Sequence, residues 1–295
     1  MSSAIADEFE THRPRLFGLA YRMLGSAHEA EDIVQDAYLR FSAADRAGIE
    51  HPAAWLAKVV GNLCLNRLTS ARARRERYVG VWLPEPVVTS DGTLGPLESA
   101  EQREAVSLAL LVLLERLGPT ERAVYVLREA FGYGHREIAE ALDLTEANSR
   151  QLYRRAVRRV NEERPRFEPA PEQQEELVTS FITAARDGDL AGLEKLLTAD
   201  VTFSSDGGGK VRAALRAVEG PDKVARLVAG VVERYVAGLS VTKVEVNGAE
   251  GLAIWDGDTL FGVTVFEMRD GLISHVRAVL NPDKLDFAQR QLRPS

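Results

Sequence analysis

Across residues 7–79 the apolar positions fall three and four apart. Phe9, Leu16, Phe17, Leu19, Ala20, Met23 and Leu24 form one stripe, and Ile33, Val34, Ala37, Tyr38 and Phe41 form a second. Both have the period of a helix that buries one face. Ser26 is placed to cap a helix starting near His28, and Pro52 suits the first turn of the next. That third helix runs from Ala53 through Trp55, Leu56, Val59, Val60, Leu63 and Leu65 into a run of arginines. The pattern then breaks. Pro84, Pro86, Asp91-Gly92 and Gly95-Pro96 are turn and extended signals, so 80–99 reads as a linker after a first domain over 1–79. Helical periodicity returns in a second domain over 100–165.

Within that second domain, residues 117–160 read LGPTERAVYVLREAFGYGHREIAEALDLTEANSRQLYRRAVRRV. His135–Leu142 and Glu146–Val160 are two amphipathic helices, joined by the short turn Asp143-Leu144-Thr145. Thr145 can cap the second helix. Ile138, Ala139, Leu142, Leu152 and Val157 are placed to form the seam between the two. This is the layout of a helix-turn-helix. The prolines of RPRFEPAPE (164–172) mark a second linker, 166–171, and a third domain follows over 172–295. It starts with a helix, Glu172 to Arg186, and a shorter one in DGDLAGLEKLL. Alternating runs come next: Val201–Ser204, Leu239–Val246, Leu252–Trp255, Thr259–Met268 and Leu272–Val279. Asn247-Gly248, Asp256-Gly257 and Asp270-Gly271 are turn signals between them, the last two pointing to hairpins. An α+β domain with a curved antiparallel sheet is expected.

Composition changes this picture little; charge changes it more. Hydrophobic content of 45% and charged content of 27% suit a globular protein with several cores. No run is apolar enough to span a membrane, and MSSAIADEFETHRPR lacks the apolar centre of a signal peptide, so a cytoplasmic location is expected. The single cysteine, Cys64, excludes an intrachain disulfide and reads as a core thiol. The net charge of −7 argues against a polyanion partner until its distribution is considered. Arg67, Arg72, Arg74, Arg75 and Arg77 form one basic run, against only Glu76. Arg150, Arg154, Arg155, Arg158 and Arg159 form another. Glu29, Glu31, Asp32 and Asp36 form an acidic patch between flanking apolar positions. Two basic surfaces suggest two contacts with one polyanion.

On the second helix of the motif, Asn148, Arg150, Gln151 and Arg154 are placed to reach base edges. Arg pairs bidentately with guanine, and Asn or Gln with adenine. Arg155, Arg158 and Arg159 fit phosphates, contacts that position without specifying. An arginine-rich face taken alone equally fits a solvated helix. In the third domain, Asp206, Asp256, Asp258 and His275 are the candidates for acid–base chemistry. Asp256 and Asp258 are also explained by a hairpin turn, and His275 by a place in a strand wall. DGGGK (Asp206–Lys210) lacks the spacing of a phosphate-binding loop; its glycines suit close approach of another segment.

These motifs resemble a known family. LGPTERAVYVLREAFGYGHREIAEAL with SRQLYRRA is similar to region 4 of bacterial extracytoplasmic-function sigma factors. FGLAYRMLGSAHEAEDIVQDAYLRF, followed by PAAWLAKVVGNLCLNRLTSARARRER, is similar to their region 2. Residues 172–287 resemble SnoaL-like cone domains. WLPEP (Trp82, Leu83, Pro84, Glu85, Pro86), DGGGK (Asp206, Gly207, Gly208, Gly209, Lys210) and NPDKL (Asn281, Pro282, Asp283, Lys284, Leu285) resemble a sigma subgroup carrying such a fused domain.

The resemblance implies a multidomain fold: two all-α sigma domains followed by an α+β SnoaL-like cone domain. It implies core RNA polymerase and promoter DNA as partners and no cofactor, metal or catalytic residue. Glu31, Asp32, Gln35, Asp36 and Arg40 would meet the β′ clamp helices, with the β subunit also contacted. His51, Lys58, Asn62, Asn66 and Arg67 would face the −10 element, although many members carry Asp at the position of Asn66. Asn148, Arg150, Gln151, Arg154, Arg155 and Arg158 would face the −35 element. The fused domain would regulate in place of a separate anti-sigma protein, through WLPEP, DGGGK and NPDKL, and has room for a small ligand. Two other readings stand at this point: a ligand-responsive helix-turn-helix repressor, and a SnoaL-type enzyme with a DNA-binding appendage. Trp55 is open between base stacking and a place in the core.

Overall fold

The computed structural model describes residues 2–45, 48–75, 78–89, 92–94, 104–161 and 171–293. They fall into two units, Met1–Arg77 with Asp91–Arg164, and Tyr78–Ser90 with Pro165–Ser295.

The first unit is helical. Its elements are α1 (Ser2–Leu24), α2 (Ala27–Ala43), α3 (Pro52–Arg75), α4 (Leu108–Leu114), α5 (Pro119–Glu129), α6 (His135–Leu142) and α7 (Glu146–Asn161). The expected caps form: Ser26 Oγ accepts from the Glu29 amide, and Pro52 opens α3. The helical stretch read over 7–79 is interrupted, among the described residues, at Gly25-Ser26 and at 44–45 and 48–51. Phe9, Phe41, Leu56, Val60 and Cys64 are buried between α1, α2 and α3. Trp55 packs on Phe41, with ring centroids 5.9 Å apart, so its indole belongs to this core. Burial pushes the Cys64 thiol far up, which keeps it protonated and inert.

Helix α6 packs on α3, and α5 packs on α1 and α3. Two buried arginines hold this contact. Arg122, 1% exposed, donates through Nε and Nη2 to the Arg22 carbonyl at 3.2 and 3.0 Å and ion-pairs with Glu115. Arg22 in turn donates to the Ala105 carbonyl at 3.2 Å. Burial lowers Arg122 to about 9 and Arg22 to about 10, yet both remain cations at neutral pH.

The second unit is α+β. Helices α8 (Pro171–Asp187) and α9 (Leu190–Lys195) lead into β1 (Leu197–Asp206), then β2 (Val218–Glu219) and α10 (Pro221–Val231). A single π turn, Val232–Val236, extends α10. Strands β3 (Ser240–Val246), β4 (Ala249–Asp256), β5 (Thr259–Arg269) and β6 (Leu272–Val279) follow, and α11 (Pro282–Leu292) closes the chain. The sheet order is β2-β1-β6-β5-β4-β3. Three hairpins connect β3 to β6, and Asn247 and Asp270, both at φ 55°, show why Asn-Gly and Asp-Gly mark such turns. The sheet is not wholly antiparallel as expected: β1 lies parallel to β6, reached by a crossover through α10 and the β3–β5 meander. β2, α10 and α11 had no counterpart in the sequence reading.

Residues 80–89 of the segment read as a linker are packed on the second unit, as is Tyr78-Val79 before them, which the sequence reading placed in the first domain. Leu83, Val87 and Val88 are each 2% exposed or less. Val88 bridges Val246 antiparallel, and Asn247 both donates to the Val87 carbonyl (2.9 Å) and accepts from the Val87 amide (3.1 Å). The segment thus pairs with the C-terminal end of the edge strand β3. Residues 90, 91 and 95–99 of the first expected linker, and 166–170 of the second (166–171), lie outside the described residues.

Candidate functional site

The turn between α6 and α7 forms because Asp143 takes the left-handed conformation at φ 55° and Thr145 Oγ1 accepts from the Asn148 amide at 3.1 Å. Buried Ser149 meets His135 Nδ1 at 3.1 Å and locks the two helices. The seam contains Ile138, Ala139, Leu142 and Leu152 as expected. Val157, however, is only half-buried; Ala156 and Val160 take the inner positions, one residue before and three after it.

This geometry turns Asn148, Arg150, Gln151, Arg154, Arg155 and Arg158 outward, all exposed. Ala147, Arg150, Gln151, Arg154, Arg155 and Arg158 line one shallow groove. Their surroundings differ. Arg155 and Arg159 reach back to Glu121 at 2.9 and 2.7 Å, and Glu121 also accepts from the Gly118 amide to cap α5. Arg150 pairs with Glu146 one turn earlier. Arg154 and Arg158 make no ion pair among the described residues. They are the arginines most available to an outside anion.

On α2, Asp32, Gln35, Asp36 and Arg40 are exposed and Glu31 is half-buried. Leu39 stands among them 55% exposed, an apolar centre in a charged rim that periodicity alone did not single out. His51, Lys58 and Asn66 are exposed around α3, while Asn62 is half-buried. Gly61 beside it lies against α6, where an added Cβ would stand 3.6 Å from Leu142 Cδ2. Arg67 ion-pairs with Asp32 at 3.2 Å and Glu29 at 3.8 Å. One residue expected to face DNA thus pairs with one expected to face protein. The side chains of Arg72, Arg74 and Arg75, like Arg77 itself, fall outside the described part.

In the second unit the WLPEP, DGGGK and NPDKL residues converge on one carboxylate. Asp206, fully buried, accepts from the Tyr78 hydroxyl (2.5 Å), the Leu83 amide (2.8 Å), Lys284 Nζ (2.7 Å) and the Gly208 amide (3.1 Å). Lys284 Nζ also donates to the Leu83 carbonyl at 2.6 Å and lies 4.2 Å from the Trp82 ring centroid and 4.7 Å from that of Tyr78. Asn281 Nδ2 donates to the Tyr78 hydroxyl at 2.8 Å. Gly208, at φ 58°, has no room for a side chain: a Cβ would come within 2.2 Å of Asn281 Nδ2. Pro84, Glu85, Pro86 and Leu285 are buried, and Pro282 opens α11. Lys210 does not join the cluster; it pairs with Asp283 at the surface. Burial and the neighbouring Asp206 push the Tyr78 hydroxyl well up, so it stays a donor.

The acid–base candidates of this unit do not meet. Asp206 is consumed by the cluster, Asp256 and Asp258 are exposed at a hairpin, and His275 pairs with Glu267 at 3.3 Å. Burial holds His275 below its ordinary value. A lowered folded-state value means stability is present above the unfolded value of about 6.5 and is lost as pH falls below it. The urea midpoint is therefore expected to drop between pH 7 and 5, and His275→Gln is expected to reduce that drop; an identical pH profile in the variant would contradict it.

Comparison with known proteins decides the family. Sigma-70 region 2 matches residues 9–74, and Sigma-70, region 4 matches residues 107–160. The chain is 40% identical over 98% of its length, and 96% of the relative's, to the ECF RNA polymerase sigma factor SigJ of Mycobacterium tuberculosis. It is 31% identical over 98% of its length to the probable ECF RNA polymerase sigma factor SigI of the same organism. The crystal structure of M. tuberculosis extracytoplasmic function sigma factor SigJ superposes with a TM-score of 0.77 at 38% identity, covering 96% of this chain and 98% of that one. The chain belongs to the ECF RNA polymerase sigma factors.

In this sigma factor, α1 to α3 are region 2 and α4 to α7 are region 4. The Asp206 cluster lies in neither; it belongs to the α+β unit that follows them. Sequence reasoning missed Tyr78, Glu121 and the Arg22–Arg122 pair. Tyr78 adjoins the arginine run and looked like the end of a helix. Glu121 sits three residues after Gly118, a capping spacing that could have shown its role.

Proposed function

We propose that this sigma factor binds core RNA polymerase through the α2 face and reads promoter DNA with both helical regions. Glu31, Asp32, Gln35, Asp36 and Arg40, around exposed Leu39, form the surface for the β′ clamp helices; charge complementarity there steers assembly. His51, Lys58, Asn62, Asn66 and Arg67 meet the −10 element, and Asn148, Arg150, Gln151, Arg154, Arg155 and Arg158 the −35 element. The α+β unit is a SnoaL-like regulator rather than an enzyme, and it acts by holding residues 78–89. Holding its own linker, the chain needs no separate anti-sigma protein. The work is done in the cytoplasm, where the polymerase is. The observation that carries the reading is the exposed basic face of α7, with Arg154 and Arg158 left unpaired by the rest of the described chain.

Run-off transcription with core polymerase and the full-length protein on a candidate promoter tests it. Specific transcripts are expected. Arg154→Ala is expected to weaken promoter binding by about 10- to 100-fold, the effect of one lost bidentate base contact. Arg155→Ala should weaken all sequences alike, since a phosphate contact carries no sequence information. Wild-type promoter affinity in Arg154→Ala, or no association with core polymerase, would overturn the assignment.

A further inference from the structure

The concave face of the sheet in the second unit does not pack flat against α8 and α10. Between them lies a cavity of about 610 Å3. Phe181, Phe203, Leu252, Phe261, Phe266 and Val276 are among its walls. Protein interiors close voids of this size unless something fills them, and 300–1,000 Å3 is the range of small-molecule pockets. The polar groups are few. Ser205 Oγ is already used by the Ala214 amide at 2.8 Å. Tyr235 stands at the rim, 44% exposed, and accepts from Arg212 Nη1 at 3.2 Å. Arg186 and Arg212 both line the cavity, and no Asp or Glu does among the described residues. The π turn Val232–Val236 contributes Val232, Tyr235 and Val236 to the wall; such turns are uncommon and recur at functional sites.

Strand alternation explains why the acid–base candidates are absent from this space. On β1, Phe203 and Ser205 face the cavity while Asp206 faces the linker. On β6, Val276 and Ala278 face it while His275 turns to Glu267 on the other side. The cavity therefore offers an apolar body site with a cationic rim and no carboxylate or imidazole to act on what it holds.

We infer that the cavity binds an apolar molecule with a single anionic head group, such as a medium-chain or aromatic carboxylate. The body fills the space between sheet and helices, and the head group lies at Arg212 and the Tyr235 hydroxyl. Both groups donate hydrogen bonds, and the arginine supplies the charge. The match is by charge complementarity as well as shape: a neutral molecule would use the walls but leave the rim unused, and a cation would be repelled. Binding does not depend on the promoter-reading role, so a failure here leaves the transcription result standing, and the reverse.

The test uses the full-length protein and three probes: laurate, dodecanol and dodecylamine, each competing with a fluorescent anilinonaphthalene sulfonate. Laurate is expected to displace the dye at the lowest concentration, with dodecanol about fivefold weaker, the contribution of one partly exposed ion pair. Arg212→Ala, a change at an exposed residue, should remove the preference for laurate and leave dodecanol unchanged. Ile182→Trp, which fills the cavity from α8, should abolish binding of all three while circular dichroism and the melting curve stay native-like. Equal affinity for the three probes, an Arg212→Ala variant that keeps the laurate preference, or undiminished binding in a folded Ile182→Trp protein would each overturn the inference. Absence of dye and laurate binding would do the same.

Discussion

Replacing Asp206 by Ala is expected to destabilise the second unit by about 3–5 kcal/mol and to release residues 78–89 from it. The magnitude is that of breaking a buried ion pair by removing one partner. Lys284 would remain in a site where its side chain is 9% exposed, without its carboxylate. The Tyr78 hydroxyl, the Leu83 amide and the Gly208 amide would lose their common acceptor. Each buried donor left unpaired adds a penalty of about 1–3 kcal/mol unless water enters. Urea unfolding reads the stability, and amide exchange at Leu83, Val87 and Val88 reads the release. Protection at those amides that survives the substitution would contradict the account. The double variant Asp206→Leu with Lys284→Met is expected to recover part of the stability, because an apolar pair of similar size removes both charges together.

The second large effect is expected from Arg122→Met. The guanidinium is buried and is the donor that joins α5 to the end of α1 through the Arg22 carbonyl. Methionine fills much of the same volume but donates nothing, so the Arg22 carbonyl and Glu115 lose their partner. A loss of about 3 kcal/mol follows from breaking a buried charged contact. It should appear as a lower urea midpoint and as faster amide exchange in α1 and α5, at the contact between regions 2 and 4. The surface variant Arg136→Met, whose pair with Glu140 is solvent-exposed, is the control and should change stability by less than about 0.5 kcal/mol. Equal effects from the two would show that the buried contact carries no special weight. Because α3 and α6 also touch at Gly61 and Leu142, loosening this contact is expected to expose more of the α3 surface near Asn62.

Much of this architecture was legible in the sequence wherever the signal is local. The α6–α7 motif was read with nearly its observed bounds because cap, turn and seam all lie within one short segment. Strands β3 to β6 were legible because Asn-Gly and Asp-Gly dictate tight turns that need positive φ. Partnership between distant segments was not legible in the local pattern; only the resemblance of motifs brought WLPEP, DGGGK and NPDKL together. Period-two alternation marks β1 as a strand but says nothing of its parallel neighbour β6. Pro84 and Pro86 correctly signal extended chain, yet extended chain can be free or docked. The apolar run Val87-Val88 and buried Leu83 were the available hint that it is docked. For the site residues, composition places arginines on α7 but cannot distinguish Arg154, which faces out with no ion pair among the described residues, from Arg155, which shares Glu121. The convergence of Tyr78, Asp206, Asn281 and Lys284 spans residues far apart in the chain, and the resemblance of motifs located three of the four.

Residues 78–89 are, in thermodynamic language, a ligand that the second unit carries on its own chain. A tethered ligand is presented to its groove at an effective concentration in the millimolar range, so a free competitor must bind far more tightly than the segment does to displace it. The same arithmetic sets how easily the segment lets go. Inverting a population from 99:1 to 1:99 takes about 5.5 kcal/mol. The linker's own polar contacts at this site are the Tyr78 hydroxyl and Leu83 amide on Asp206 and Lys284 Nζ on the Leu83 carbonyl, each worth about 1.5–3 kcal/mol as a hydrogen bond to a charged group. Three hydrogen bonds to one buried ion pair therefore supply energy of the size that separates a chain whose linker is occupied from one whose linker is free for another partner.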